Sequence, residues 1–201
     1  MDQLAIFIDG RYLDKVKENV SGRDFRLDFT KFSQKVYGFV NDRSRGTLGL
    51  LRTYYYDCLP YKSDPPSEEE NRKFESARRF HGALELQSRT MVRRGKLKPR
   101  EQVCPSCRSK HTGFQQKGVD LLLGVDLVVA GVKGHIAHAA IIAGDSDFLP
   151  AVEIVKDEGV IVWLFHERES TSELALAADE RIEINREFLR DLRRRTVRSK
   201  R

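Results

Sequence analysis

Short apolar runs alternate along the chain with longer stretches of helical periodicity. Three runs, 4–8, 139–143 and 160–165, are free of polar residues, as in strands that are buried on both faces. Two more strands are predicted at 48–56 and 84–92. Four stretches between them place apolar residues at the spacing of one helix face. They span 28–42, 67–82, 117–132 and 148–158, and a short helix at 172–178 and an edge strand at 181–184 follow.

This alternation predicts the fold class. Strands that are apolar throughout, with helices between them, indicate a parallel sheet covered on both sides. We therefore predict one α/β domain, a three-layer α/β/α sandwich with a mostly parallel, Rossmann-like central sheet. Ligands of such sheets bind beyond the carboxyl ends of the strands.

Two segments differ from the rest of the pattern. Residues 94–116 contain Gly, Pro, Cys and many charges without periodicity, which predicts a long loop, and loops of that length are usually functional. The helix at 117–132 is strongly apolar. Six of its apolar residues lie on one face: Leu121, Leu122, Val125, Val128, Val129 and Val132.

Composition and charge refine this picture. The 201 residues are 40% hydrophobic, which is enough for one domain with its own core. The net charge of +6 resides in residues 190–201, which hold seven Lys or Arg residues and one acid, so residues 1–189 are formally neutral. We predict a domain over 1–189 and a basic tail over 190–201, which either contacts phosphates or only aids solubility.

The ends and the cysteines bear on location. No apolar stretch is long enough for a membrane helix, and the N-terminus lacks the features of a signal peptide. We therefore expect a cytoplasmic protein without a membrane partner. In a reducing compartment, its three cysteines are expected to be thiols or metal ligands rather than disulfides.

Four aspartates are predicted to meet at one edge of the sheet. Asp9 follows the first strand, Asp145 follows the fourth, Asp147 begins the next helix, and Asp120 lies in the first turn of the long helix. Each alone is ordinary turn or cap chemistry. Together they would repel one another unless a cation neutralised them, which predicts Mg²⁺ or Mn²⁺ as the metal.

The cysteines suggest a second metal site. Cys104 and Cys107, with His111 four residues later, have the spacing of a zinc knuckle. Cys58 follows the second strand and is preferred as fourth ligand over His81, which is expected at the opposite sheet edge. Thiols in a flexible loop without zinc, or a redox pair, are the alternatives.

Ordered motifs carry a family resemblance. FIDG at 7–10, QKGVD at 116–120 with GVDL at 124–127, and AGDSDFLP at 143–150 resemble the signature blocks of NYN domains of the LabA/DUF88 type. STSEL at 170–174 with AAD at 177–179 is similar to that family's closing segment. The resemblance spans roughly residues 4 to 189. It implies a PIN-like fold and metal-dependent cleavage of RNA.

The resemblance also assigns residues. Asp9, Asp120 and Asp145 match the acidic metal site of the family, and Asp147 matches its fourth acidic position. Asp126 matches a further family acid, but it lies about 240° around the helix from Asp120, so we expect it to support the site or the structure rather than face the same ion. In such a mechanism the aspartates hold the metal, and a metal-bound water attacks the phosphodiester.

One motif departs from the family pattern. The family usually has an Asn two or three residues after the first aspartate, where this chain has Arg11 and Tyr12. Arg11 is a candidate for phosphate contact and Tyr12 for base stacking. Basic residues near the 94–116 segment add candidate nucleic-acid contacts, which are Arg93, Arg94, Lys96 and Lys117.

Two functions from different classes follow. The first is a metal-dependent endoribonuclease that acts on RNA or another single-stranded nucleic acid. The second, suggested by the missing Asn, is a catalytically weak or inactive regulatory protein that binds nucleic acid. A phosphatase-like or receiver-like acidic site is weaker, because no nucleophile context or P-loop is present. The sequence leaves the oligomeric state open, a homodimer included.

Overall fold

The fold was analysed in a computed structural model that describes residues 1–44, 46–103, 107–167 and 172–194, of which 98–103 and 110–117 are described by their backbone. Six parallel strands form the central sheet in the order β3-β2-β1-β6-β7-β8. These strands are β1 (Gln3–Asp9), β2 (Gly49–Asp57), β3 (Thr90–Arg94), β6 (His138–Ile142), β7 (Ile161–His166) and β8 (Glu180–Glu183). Two further strands, β4 (Lys96–Val103) and β5 (Lys110–Lys117), form a separate antiparallel hairpin.

Helices cover both faces of the sheet. They are α1 (Gly10–Ser21), α2 (Phe29–Arg43), α3 (Glu68–Glu85), α4 (Val119–Val132), α5 (Leu149–Asp157), α6 (Glu173–Ala177) and α7 (Arg186–Leu189). Buried residues of α1, α2 and α7 form one core cluster with the sheet, and those of α4, α5 and α6 form another on the opposite face. The predicted three-layer α/β/α sandwich is confirmed.

Some predicted elements differ from the structure. The strand predicted at 84–92 is shorter, because α3 continues to Glu85 and β3 begins at Thr90. Helix α1 was not predicted, since its buried side is small and includes only Gly10, Leu13 and Val16. Helix α7 was not predicted either, because its four residues are too few to show a helical period.

The predicted loop over 94–116 is wrong. Strands β4 and β5 occupy most of it, and Lys117 ends β5 instead of opening the long helix, which begins at Val119. Among the described residues the hairpin pairs with no strand of the central sheet, and its sequence shows no alternating apolar pattern.

Helix α4 packs through a different face from the one its sequence suggested. Val119, Leu123 and Leu127 are buried against the sheet, whereas Leu121 is 71% exposed and Val125 is 49% exposed. The helix is apolar on nearly all sides, so periodicity could not identify the inner face. An apolar stripe along α4 therefore remains at the surface.

The C-terminal segment joins the domain further along than predicted. Leu192 is buried, and its carbonyl accepts a hydrogen bond from the Asp28 backbone N–H at 2.7 Å. The Arg194 N–H donates to the Arg26 carbonyl, also at 2.7 Å. Residues 190–194 thus belong to the fold, while the rest of the predicted tail, 195–201, lies outside the described residues. Among the described helices, none is both long enough and apolar enough to cross a membrane.

Close packing of α4 on α5 gives a stability prediction. A Cβ added at Gly131 would lie 2.8 Å from Cγ1 of Val155, closer than real contacts allow. Gly131→Ala should therefore destabilise the fold by about 1–3 kcal/mol through overpacking. Gly38→Ala is the matched control, because that helical glycine has nothing within 4 Å of its added Cβ. Gly38→Ala should stabilise by about 0.5–1 kcal/mol, and urea denaturation of both variants measures the contrast.

Candidate active site

The order of the strands defines where a ligand would bind. From β1 the chain moves outward through β2 and β3, then returns to the other side of β1 with β6 and continues to β7 and β8. The strand order therefore reverses between β1 and β6, which pair in parallel up to Ile8 and Ile142. Asp9 ends β1, and Asp145 follows β6 by three residues. Both lie at the switch point where open α/β sheets bind ligands.

Asp9 is held by the start of helix α1. Its Oδ1 accepts hydrogen bonds from the backbone N–H groups of Arg11 at 3.0 Å and Tyr12 at 3.1 Å, so it caps the helix. Gly10 follows because a Cβ there would overlap the Tyr55 hydroxyl. Burial raises the pKa of Asp9 from 3.8 to about 6, with further contributions from the charges of Asp120 and Asp57; the two cap hydrogen bonds oppose this rise.

Asp145 is held in a similar way on the neighbouring strand. Its Oδ1 accepts the backbone N–H of Asp147 at 3.0 Å and caps a 3₁₀ turn, Ser146–Phe148, which the buried ring of Phe148 anchors. Both caps use Oδ1, so Oδ2 of each aspartate is not engaged by its cap. Gly144 precedes Asp145 because any Cβ there would overlap the ring of Tyr12.

Asp120 links the other acids electrostatically. It lies in the first turn of α4, after Gly118, whose φ of +87° turns the chain from β5 into the helix. Burial raises the pKa of Asp120, and the charges of Asp145 and Asp147 raise it further, while Arg11 lowers it. The charge of Asp120 in turn raises the pKa of Asp9, so Asp120 interacts electrostatically with each of the other three predicted acids.

These four carboxylates form no ion pair with any side chain that the structure describes, although other aspartates do. Asp126 pairs with Arg93 and Asp179 pairs with Lys156, but no Lys, Arg or His with a described side chain lies within salt-bridge distance of Asp9, Asp120, Asp145 or Asp147. Carboxylate oxygens without such partners are ligands that suit Mg²⁺ or Mn²⁺.

The side chains are not arranged as a closed metal site. Within 1–44, 46–103, 107–167 and 172–194, no group of three or more Asp, Glu, His or Cys side chains could hold an ion as it stands. Mg²⁺ keeps several waters and uses few protein ligands, so an open arrangement of carboxylates is compatible with it. Asp9, Asp120, Asp145 and Asp147 are the residues that would hold such an ion.

Asp126 has a structural environment. The guanidinium of Arg93 donates two hydrogen bonds to it, at 2.7 and 2.6 Å, and the Tyr56 hydroxyl donates a third at 3.0 Å. These bonds tie α4 to β3 and β2. They also engage Arg93, one of the predicted nucleic-acid contacts, with a carboxylate of the same chain.

The other predicted nucleic-acid contacts lie in different settings. Arg94 pairs with Glu85 at 2.9 Å, and Lys96 is exposed at the start of the hairpin. Arg11 is exposed beside Asp120. The Tyr12 hydroxyl accepts the backbone N–H of Glu167 at 3.0 Å, so Tyr12 connects α1 with the end of β7. Lys117 ends β5, next to the turn at Gly118.

Two residues beside the site were not predicted to belong to it. Asp57 ends β2 and contributes to the raised pKa of Asp9. Its Oδ2 lies 3.2 Å from Nε2 of the fully buried His81, so the expectation that His81 lies at the opposite edge is wrong. Within α3, only His81 and Leu84 are buried. Asp57 could have been predicted from its position, because it follows an apolar strand segment as Asp9 does.

Two of the predicted zinc ligands have described side chains. Cys58 is buried beside the base of the hairpin, where its backbone N–H donates to Oδ1 of Asp57 at 2.7 Å. Cys107 is exposed between β4 and β5, with Sγ 3.0 Å from the Ser109 hydroxyl. Cys104 lies outside the described residues, as does the side chain of His111. The length of the hairpin separates Cys58 from Cys107.

A parallel sheet with acidic residues at its switch point is typical of metal-dependent nucleases, and the sequence comparison agrees. The family model of the NYN domain matches residues 3–185. The chain belongs to the NYN domain family, within the PIN-like nuclease superfamily. It therefore has a nuclease-type domain, for which nucleic acid is the expected substrate. The comparison with curated proteins gives no match.

The raised pKa of Asp9, caused mainly by burial, predicts that the free energy of unfolding depends on pH. Because the pKa of Asp9 is about 6 in the fold and 3.8 unfolded, the folded state binds the extra proton between these values. Stability contributed by this group is therefore present at low pH and lost as pH rises from about 4 to about 6.

Asp120→Asn should lower the pKa of Asp9 and raise the melting temperature by a few degrees at about pH 7.5, after allowance for solvent screening. Near pH 4, where Asp9 is protonated in the fold, the gain should be much smaller. Thermal unfolding without divalent cations measures both. An Asp120→Asn variant that is less stable at both pH values would contradict the electrostatic account.

Proposed function

We propose that this protein is a metal-dependent endoribonuclease that cleaves phosphodiester bonds of RNA by water activated on Mg²⁺ or Mn²⁺. The observation that supports this most directly is the set of four aspartates, none in an ion pair with a described side chain, at the switch point of an NYN domain. When bound, the cation would lower the pKa of a water and neutralise charge on the phosphate. The aspartates would hold the cation rather than attack.

The local structure supports this role. Caps on α1 and on the 3₁₀ turn fix one oxygen each of Asp9 and Asp145 by backbone hydrogen bonds, which orients both carboxylates before any ligand arrives. The N-terminal ends of α1 and α4 also lie here, and their dipoles favour a phosphate group. Arg11 is exposed beside Asp120, so its guanidinium is our candidate for a contact to the substrate phosphate.

A second function is supported by Tyr12. Three residues after Asp9, where the family's Asn is expected, Tyr12 packs against Gly144 and bonds to the backbone of Glu167. A side chain held this way braces the loops around the aspartates. The alternative is therefore an NYN protein that binds nucleic acid and regulates, with weak or no catalysis.

Cleavage of a labelled single-stranded RNA in Mn²⁺ separates the two functions. Asp145→Asn should lower the rate at least about 100-fold, because loss of a metal ligand removes several kcal/mol of transition-state stabilisation. It should leave the fold intact, since it removes a like charge from a repelling set. A DNA oligonucleotide of the same sequence tests the preference for RNA.

The matched control is Asp157→Asn, the same chemical change at the exposed far end of α5. It should cleave like the parent protein. If the parent protein binds RNA without cutting it in either Mg²⁺ or Mn²⁺, the regulatory function is correct. Cleavage that survives Asp145→Asn at full rate would remove the assigned metal site.

A structural zinc ion is the second part of the proposal. Cys107 lies between β4 and β5, and His111 is the second residue of β5; Cys104 is three residues before Cys107 in the sequence. Thiolates are better ligands for zinc than for Mg²⁺ or Mn²⁺. Cys58, at the base, was the predicted fourth ligand; the length of the hairpin favours another ligand or water in that position.

Elemental analysis of protein purified without chelator should give about one zinc per chain. Cys107→Ser should lose the zinc and loosen the turn while the central sheet keeps its melting temperature, because the hairpin is separate from that sheet. Cys58→Ser should keep the zinc. Zinc-free protein with thiols that react freely would show that the pair is not a metal site.

A further inference from the structure

The β4–β5 hairpin leaves the domain directly beside the candidate active site. The last backbone hydrogen bond to the central sheet before the hairpin is that of the Gly95 N–H to the Asp57 carbonyl, at 3.0 Å. From Lys96 onward the chain pairs only with β5, over eight residue pairs ending at Val103 and Lys110. Strand β5 then returns to Lys117, three residues before Asp120. Both ends of the hairpin are thus fixed at the site.

The register sorts the hairpin residues onto two faces. Directly paired residues of an antiparallel ladder share a face, and faces alternate along each strand. One face, called here the basic face, comprises Lys96, Lys98, Arg100, Gln102, His111, Gly113, Gln115 and Lys117. The opposite face comprises Leu97, Pro99, Glu101, Val103, Lys110, Thr112, Phe114 and Gln116.

Charge is distributed unequally between these faces. The basic face has four Lys or Arg residues and no acid, whereas the opposite face has one Lys and one Glu. The four cations lie within the five pairs nearest the domain, from Lys96–Lys117 to Arg100–Gly113. They therefore form a stripe that begins beside the aspartates.

The cations of the hairpin differ from those of β3 in the acidic residues placed near them. Arg93 and Arg94 are paired with Asp126 and Glu85, so their charges are largely compensated. On the basic face of the hairpin, by contrast, the register places no acidic residue, so no carboxylate lies opposite a cation across the ladder. Lys96, which is exposed, is the first cation of this face.

We propose that the basic face of the hairpin binds the phosphate backbone of a single nucleic-acid strand and leads it to the aspartates. The inference rests on the proposed function for the identity of the substrate, and on charge complementarity for the surface. Alternate residues of a strand are about 6.7 Å apart, so the cations recur regularly along the ribbon, over about 13 Å from Lys96 to Arg100. Backbone phosphates are recognised by such arrays without regard to sequence.

Charge reversal on each face provides the test. Lys98→Glu changes the basic face, and Lys110→Glu makes the same change on the opposite face. Binding of a labelled single-stranded RNA is measured by fluorescence anisotropy with divalent cations left out, so that no cleavage occurs. Lys98→Glu should weaken binding about tenfold and reduce the salt slope by about 0.7 for each phosphate that the variant no longer neutralises. Lys110→Glu should change the dissociation constant less than about twofold, because salt screens distant charges.

Further measurements keep the result interpretable. Circular dichroism checks that each variant folds, and Lys98→Gln, which removes one charge without reversing it, should weaken binding by an intermediate amount. In cleavage assays with Mn²⁺, Lys98→Glu should raise KM more than it lowers kcat, since the proposed role of Lys98 is to bind the strand and not to hold the metal.

The outcomes separate this inference from the proposed function. Face-specific binding without cleavage would support the hairpin surface and contradict the nuclease. Cleavage with KM unaffected by Lys98→Glu would support the nuclease and overturn the hairpin surface. Equal weakening by Lys98→Glu and Lys110→Glu would show that net charge acts rather than a face. Unchanged binding by both would likewise overturn the proposal, and binding to an acidic protein in place of RNA would assign the face to a different partner.

Discussion

Repulsion between carboxylates at the centre of the sheet is the constraint on which the candidate site depends. The parallel pairing of β1 with β6 places Asp9 and Asp145 at the ends of neighbouring strands. Helix α4 contributes Asp120, whose charge raises the pKa of Asp9 and whose own pKa is raised by the charge of Asp145. Protein interiors usually relieve such repulsion with a cation from Lys or Arg. Here no described side chain forms an ion pair with these carboxylates, and only Arg11 lowers the pKa of Asp120 from a distance.

The contrast with Asp126 shows how one helix serves two purposes. Asp126 and Asp120 lie on α4, but they differ in direction around its axis. Asp126 receives two hydrogen bonds from Arg93 and one from Tyr56, so it fastens the helix to the sheet. Asp120 forms no ion pair with a described side chain, and the charges of Asp145 and Asp147 raise its pKa while that of Arg11 lowers it. The two aspartates therefore differ in their charged partners, although they are the same residue type on the same helix.

Much of this arrangement could be predicted from the sequence, for identifiable reasons. Strands such as β1 and β6 are buried on both faces, so their apolar runs are continuous, and an aspartate at the end of such a run indicates the sheet edge. The same rule applies to Asp57, which was not predicted because the strand end there was interpreted through Cys58 as part of a zinc site. The order of the strands was not predictable, since it depends on pairings between distant segments.

Other features could not be predicted because the pattern of apolar residues was absent, as in the hairpin, or present on several faces, as in α4. The hairpin pairs with no described strand of the central sheet and its sequence has no periodic apolar pattern, so the difference between its two faces became visible only through its register. In α4 the apolar pattern was present on nearly all sides: Leu121 and Leu123 are equally apolar, but only Leu123 is buried. The contact of His81 with Asp57 depends on how α3 packs beside the end of β2, which sequence spacing does not encode.

The central pairing of β1 with β6 also sets an order of events during folding. The first strand of the chain completes its ladder only when the sixth, beginning at His138, has been synthesised and has docked alongside it. Until then one side of β1 has unsatisfied backbone groups, and closing so long a loop is slow. Asp9 and Asp145 are therefore brought together late, after β1, β2 and β3 can already have paired. A nascent or partly folded chain would therefore lack the acidic centre until β6 has paired with β1.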